Sequence, residues 1–239
     1  MISLTRFRFQ FTPSFSMSLC AGLVVALFVY LGLWQLQRAE EKQQMLDTQQ
    51  VQSHQQPLRW SPGHILPVQY QSVRVRGTAL PVLLLLDNQH QQHLLGYDMI
   101  VPVLLDANQV VLIDYGWIAG DPSRATYPSM PIPQGRLNLI GQAYYPSNKS
   151  WLLGSAVEYP RAGVFLLERM DVNSLRDLLH KSVYPFMIRL QPKGHQSLVR
   201  DWPVISMSPT RHYGYALQWF VMAVVLVILY VALNMKKKL

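Results

Sequence analysis

Charge is what this sequence has least of. Only 14% of its 239 residues are Asp, Glu, Lys or Arg, against roughly 25% in an average soluble domain, so either the surface is unusually dry or part of the chain lies in lipid. The gaps in the charge map decide for lipid. No charged residue falls between Arg8 and Arg38, and none between Arg211 and Lys236. Cysteine is nearly absent as well: Cys20 stands alone inside the first gap, which excludes an intramolecular disulfide, a CxxC redox pair and a thiolate metal cage. The HExxH and GxSxG patterns, the phosphate-binding P-loop and the dinucleotide glycine fingerprint are all missing, so no motif nominates an enzyme.

The charge gaps are filled with apolar residues. Phe15 to Leu36 supply a run of about 20 residues, the length that crosses hydrocarbon, with Trp34 where an interfacial aromatic belongs. The second gap, Tyr213 to Asn234, centres on FVMAVVLVILYVAL (Phe220 to Leu233). That stretch is apolar on every face, as a span is and an amphipathic surface helix is not. Arg6 and Arg8 precede the first span, Lys236, Lys237 and Lys238 follow the second, and neither flank carries an acid; the charge bias predicts cytoplasmic termini and an external loop. The first run exceeds the about 7–15 residues of a signal-peptide core, and no small-x-small cleavage pattern follows it, so a retained anchor is expected. With too few residues before it for a mitochondrial transit peptide, the expected location is a bacterial inner membrane. Five of the 21 basic residues sit at the ends, leaving 16 against all 13 acids over residues 37–211. A strongly basic nucleic-acid surface is therefore excluded.

These signals divide the chain into a cytoplasmic start (1–14), a first span (15–36), a juxtamembrane helix and loop (37–68), a β-rich periplasmic domain (69–211), a second span (212–234) and a basic cytoplasmic tail (235–239). Gln35 to Gln50 are strong helix formers and predict that the first span continues beyond the bilayer. Gln35, Arg38 and Lys42 share a face there, either a solvated one or a docking one. From Tyr70 the period changes to two, and strand signals recur over 82–87, 96–105, 109–117, 136–145, 163–169 and 184–191, between Asp, Asn, Pro and Gly turns. One helix interrupts them, capped by Asp171, with Val172, Leu175, Leu178 and Leu179 as its apolar face. Short strands with mostly short connections predict a mainly β, antiparallel, barrel-like domain with one helix between two transmembrane helices. Asp87, Asp98, Asp106 and Asp114 are expected at strand ends or turns, with no pair singled out for acid–base work. His90 and His93 are expected in a hairpin turn, a weak metal signal and more plainly two exposed turn residues.

RHYGYALQWF (Arg211 to Phe220) is the most informative stretch. His212, Tyr215 and Trp219 recur at i, i+3 and i+7, a stripe on a helix with Gln218 beside it. A neutral imidazole there can ligate iron, and flat aromatic neighbours would pack against a macrocycle. The same residues also make an ordinary aromatic belt with a histidine at the helix start.

Several ordered blocks resemble the surfeit locus protein one family of cytochrome c oxidase assembly factors. LGLWQLQRAEEK (Leu31 to Lys42) is similar to that family's LGxWQxxRxxxK, YQSVRVRGTA (Tyr70 to Ala79) to its strand ending in VRG, and GYDMIVPV (Gly96 to Val103) to its GxxVxxP. VVLIDYGWIAG (Val110 to Gly120) resembles LVNRGWVP, and RHYGYALQW (Arg211 to Trp219) resembles HxxYxxxW. Asp114 and Tyr115 stand where relatives carry Asn-Arg, and Ala119 where they carry proline. The resemblance implies a non-enzymatic factor that assists maturation of oxidase subunit one and binds heme a, with His212 as favoured ligand and Tyr215 and Trp219 beside it. Trp34, Gln35 and Arg38 would complete the pocket or bind the oxidase. The implied partners are subunit one, heme a synthase and membrane lipid. The rival reading is a cofactor-free chaperone that clamps an assembly intermediate; an exported enzyme using undetected carboxylates is the least favoured.

Overall fold

The structure, a computed structural model, describes residues 9–146, 157–192 and 198–237; Arg6, Arg8 and Lys238 lie outside them. In chain order the elements are β1 (Phe9–Phe11), α1 (Phe15–Ser53), β2 (Leu58–Arg59), β3 (Ser72–Ala79), β4 (Leu83–Gln91), β5 (Leu94–Leu104) and β6 (Gln109–Ala119). They continue with β7 (Arg136–Tyr144), β8 (Val157–Arg161), β9 (Val164–Leu167), α2 (Val172–Leu179), β10 (Ser182–Leu190), α3 (Pro209–Asn234) and β11 (Met235–Lys237). The chain forms two compact units, Met1–Asp47 with Val204–Leu239, and Thr48–Pro203.

In the first unit α1 and α3 are long and apolar enough to cross a membrane. α1 extends the apolar run without a break through the helix formers that follow it, as their propensity predicts. β1 pairs antiparallel with β11, Phe9 opposite Lys237 and Phe11 opposite Met235. Thr12 N–H donates to the Asn234 carbonyl beside this ladder. The flanks of the two apolar helices thus meet at one end of the unit.

The second unit is mostly β. Nine strands follow the order β2-β3-β7-β10-β6-β5-β4-β9-β8, and β3 also pairs with β5 through Thr78–Leu104 and Ala79–Val103. β3, β7, β10, β6 and β5 therefore form a closed circuit of pairings. The expectation of an antiparallel sheet holds for most pairings and is corrected for three: β10 runs parallel to β6, β9 to β4 and β2 to β3. α2, immediately before β10, closes the crossover that brings β10 back alongside β6. It is held at its start by Asp171, whose carboxylate accepts from Ser174 N–H at 3.0 Å and Ser174 Oγ–H at 2.6 Å.

Alternation along the strands builds the core. Val73, Val75, Val103, Val111, Ile113 and Ile188 bury together with Trp60 and Phe186. On the opposite strand faces, Leu84, Ile100, Leu112 and Met187 receive Leu175 of α2. The β4–β5 hairpin turns on Gln92 and His93, both with positive φ (49° and 67°), the backbone of a two-residue turn that follows the strand twist. His93 is thus a turn residue, while His90 lies in β4. Asp87, Asp98 and Asp114 are not at strand ends: they lie within β4, β5 and β6 and are buried. Asp106 alone is in a turn, accepting from the N–H groups of Asn108 and Gln109.

Candidate functional site

Within the first unit α1 and α3 lie antiparallel, Ser18 against Tyr230 toward one end and Gln35 against His212 toward the other. Small residues permit the approach. A methyl group on Gly32 would come within 2.5 Å of the Phe220 ring, so only glycine lets that ring seat there.

His212 is 8% exposed. Its Nδ1 lies 2.7 Å from Gln35 Oε1. An amide oxygen only accepts, so with this pairing Nδ1 carries a proton, and in the neutral ring Nε2 is then the nitrogen with the lone pair. Nε2 is enclosed and makes no hydrogen bond among the described residues. A neutral imidazole with one nitrogen tied to a carbonyl-type oxygen and the other bare is the form in which histidine binds a metal.

The stripe read from the sequence divides here. Trp219 turns to α1, its ring 5.6 Å from that of Phe28, whereas Tyr215 is 44% exposed. The second group divides as well: Gln35 meets His212, Arg38 pairs with Glu41 one turn along its own helix, and Trp34 is 44% exposed. The donor chemistry suits an iron porphyrin in the imidazole nitrogen and its fixed tautomer. Access is the remaining condition, because Nε2 is shut off with the helices in this arrangement and ligation requires neighbouring side chains to move.

In the second unit the strand register assembles a polar row that sequence reasoning missed. Ser72 of β3 lies opposite Gln142 of β7, Gln142 opposite Arg189 of β10, and Arg189 beside Asp114 of β6. Arg189 Nε stands 3.6 Å from Asp114 Oδ2, and its guanidinium carbon 3.5 Å from the centre of the Tyr144 ring. Asp114 is fully buried. Burial, reinforced by the nearby Asp98 charge, pushes its carboxyl well above the ordinary range against the pull of Arg189 and the Gly116 N–H. Burial likewise lifts Asp98 to about 6, with Arg189 opposing. The signal in the sequence was a lone acid inside an apolar strand, in VLIDYG and again in GYDMIV. Asp114 has no surface for a substrate to reach, so these acids shape the fold.

The same strand explains the Gly-Trp pair of the DYGW block. Gly116 has φ +129°, and a Cβ there would meet the Val199 carbonyl oxygen at 2.8 Å. The close approach lets Trp117 and Val199 exchange two backbone hydrogen bonds at 2.8 Å. Trp117 Nε1 donates to the Gln89 carbonyl at 3.0 Å. Tyr115 carries no guanidinium, yet Arg200 brings one to it, Nε donating to the Tyr115 carbonyl at 2.7 Å.

Comparison with known proteins agrees with these blocks. The model of the SURF1 family matches residues 22–224. A SURF1-like protein of Rickettsia prowazekii (strain Madrid E) is 27% identical over 226 residues, covering 87% of this chain and 87% of that protein.

Proposed function

The chain belongs to the SURF1 family, and from that membership we propose that it is an assembly factor for cytochrome c oxidase that holds heme a at His212 and assists its insertion into subunit one. The observation that carries this reading is the state of His212: Nδ1 bonded to Gln35 and Nε2 bare and buried. A polar nitrogen left without a partner inside an apolar helix pair has a standing cost of about 1–3 kcal/mol, and ligation of an iron would relieve it. Heme is cargo in this account. A single imidazole gives capture that can be reversed, which a donor must have and a two-ligand cage would oppose.

The rest of the reading follows from topology. Charge bias sets both termini in the cytoplasm, so the β unit faces the periplasm of a bacterial inner membrane, and the pairing of β1 with β11 supports two spans whose flanks share one side. Subunit one is the proposed recipient and heme a synthase the proposed supplier, met along a surface that includes Trp34 and Arg38. Tyr215, exposed beside His212 on α3, would lie against the porphyrin, with Trp219 deeper along the helix. No bond is made or broken in the cargo, so no catalytic residue is needed.

One observation favours a second reading. Gln35 and His212 tie α1 to α3 over 2.7 Å, so the histidine serves equally as the clasp of a cofactor-free clamp. Heme content of the purified protein, beside complementation of a strain that lacks this gene, separates the two. With heme carriage, wild type purified from cells that make heme a carries heme and His212→Ala does not, and the variant lowers oxidase activity at unchanged amounts of the protein. A wild type without heme, with oxidase activity still lost in His212→Ala, would leave the clamp as the better account, and full oxidase activity with His212→Ala would contradict both.

A further inference from the structure

We propose that a cavity beside the end of β10 is a binding site for a compact carboxylate with an apolar body. The cavity has a volume of about 210 Å³ and lies within the β unit, lined by Arg189, Arg200, Gln142, Trp202, Leu190 and Pro192 among others. It is smaller than the roughly 300–1,000 Å³ of drug-sized sites, which limits the ligand to a small acid or the end of one side chain.

Two guanidinium groups reach it with donors to offer. Arg189 is clasped between aromatic rings, its guanidinium carbon 3.5 Å from the Tyr144 ring centre and 4.9 Å from that of Trp202. This fixes the plane of the fork, and its Nε is turned to Asp114. The two terminal nitrogens of Arg189 donate no hydrogen bond among the described residues. Arg200 is held by Nε on the Tyr115 carbonyl and by Nη1 on the Gln191 carbonyl at 3.1 Å, which leaves Nη2 uncommitted. Gln142, beside Arg189 in the register, has an amide that makes no hydrogen bond among the described residues. A planar fork held rigid by stacking is suited to a carboxylate taken by two parallel hydrogen bonds.

The charge balance agrees. Asp201 also lines the cavity, and its carboxylate accepts from Gln91 Nε2 at 3.1 Å. Asp98 and Asp114 are the other acids near Arg189, and burial raises both carboxyls against its pull. The walls decide between anions: Leu190, Pro192 and Trp202 give the cavity an apolar side that inorganic phosphate does not use and a carbon chain does.

A free acid and a glutamate side chain of a partner present the same chemistry, and calorimetric titration of the full-length protein in detergent distinguishes them. Sodium butyrate, the peptide acetyl-Ala-Glu-Ala-amide and sodium phosphate are compared at one ionic strength. We expect a carboxylate to bind at least about tenfold more tightly than phosphate. Tighter binding of butyrate points to a free acid, and tighter binding of the peptide to a protein carboxylate. Arg200→Gln and Gln142→Leu each weaken that binding by about threefold or more, and Arg200→Lys, which keeps the charge but loses the Nη2 donor anchored through Nε and Nη1, does the same should Arg200→Gln not fold. No heat from either carboxylate up to about 50 mM, phosphate bound as tightly as both, or wild-type affinity in all variants that fold would overturn the assignment.

Discussion

Single side chains in this protein are decided by what surrounds them, and Asp98 gives the sharpest test. Its carboxyl is raised from an ordinary 3.8 to about 6, with burial as the largest cause. The folded state therefore holds the proton more tightly than the unfolded chain. This contribution to stability is fully present below about pH 4 and is lost as pH rises through about 6. Its full range is roughly 3 kcal/mol. Asp98→Asn, which is never charged, is predicted to exceed wild type by about 1–3 kcal/mol at pH 7.5 and to show a flatter profile between pH 4 and 6, read by thermal unfolding. An unchanged profile would show that Asp98 titrates normally. His212 depends on its neighbour in the same way. Gln35→Leu removes the acceptor that holds Nδ1–H, so either tautomer becomes available and the imidazole is free to turn. The expected outcome is heme a retained several-fold less well by a variant that still folds; equal retention would mean that Gln35 does not orient the ligand.

At the scale of the element, two substitutions probe the devices that set strands and helices in place. Gly116→Ala places a Cβ against the Val199 carbonyl in a backbone region that favours glycine. It is predicted to destabilise the β unit by about 1–3 kcal/mol, measured by denaturant unfolding. Asp171→Ala removes the cap of α2 and should cost about 1 kcal/mol; a neutral result would mean that Ser174 satisfies the helix start unaided. The elements differed in how readable they were. Both apolar helices were plain, because an uncharged run of span length has few other uses. The strands were found from alternation and turn residues, and the capped helix from Asp171 and its leucine spacing. The parallel pairing of β10 with β6 was hidden, since nothing local in YPFMIRLQ states which neighbour it joins. Asp98 and Asp114 are expected at strand ends or turns because an acid usually marks one, and their burial follows only when the register sets Arg189 alongside. The same register forms the polar row and the cavity, so neither was legible before the strands were paired.

The whole molecule combines an apolar helix pair with a β unit, and the sequence announced that division through its charge gaps. It also nominated His212, and it offered Gln35 either for the same pocket or for a partner surface, without pairing it to the imidazole it meets. The reason is distance along the chain: 177 positions separate the two residues, and only the packing of α1 on α3 joins them. Gly32 guards that packing, so Gly32→Leu should part the helices, cost heme binding and leave the β unit folded, read by heme content beside circular dichroism. Heme carriage turns on the bare nitrogen of His212, and the visible absorption spectrum of the full-length protein reads it directly. Purified in detergent from cells that make heme a, wild type is predicted to carry a heme band that is lost or shifted in His212→Ala. A colourless wild type, or the same spectrum in both proteins, would contradict it.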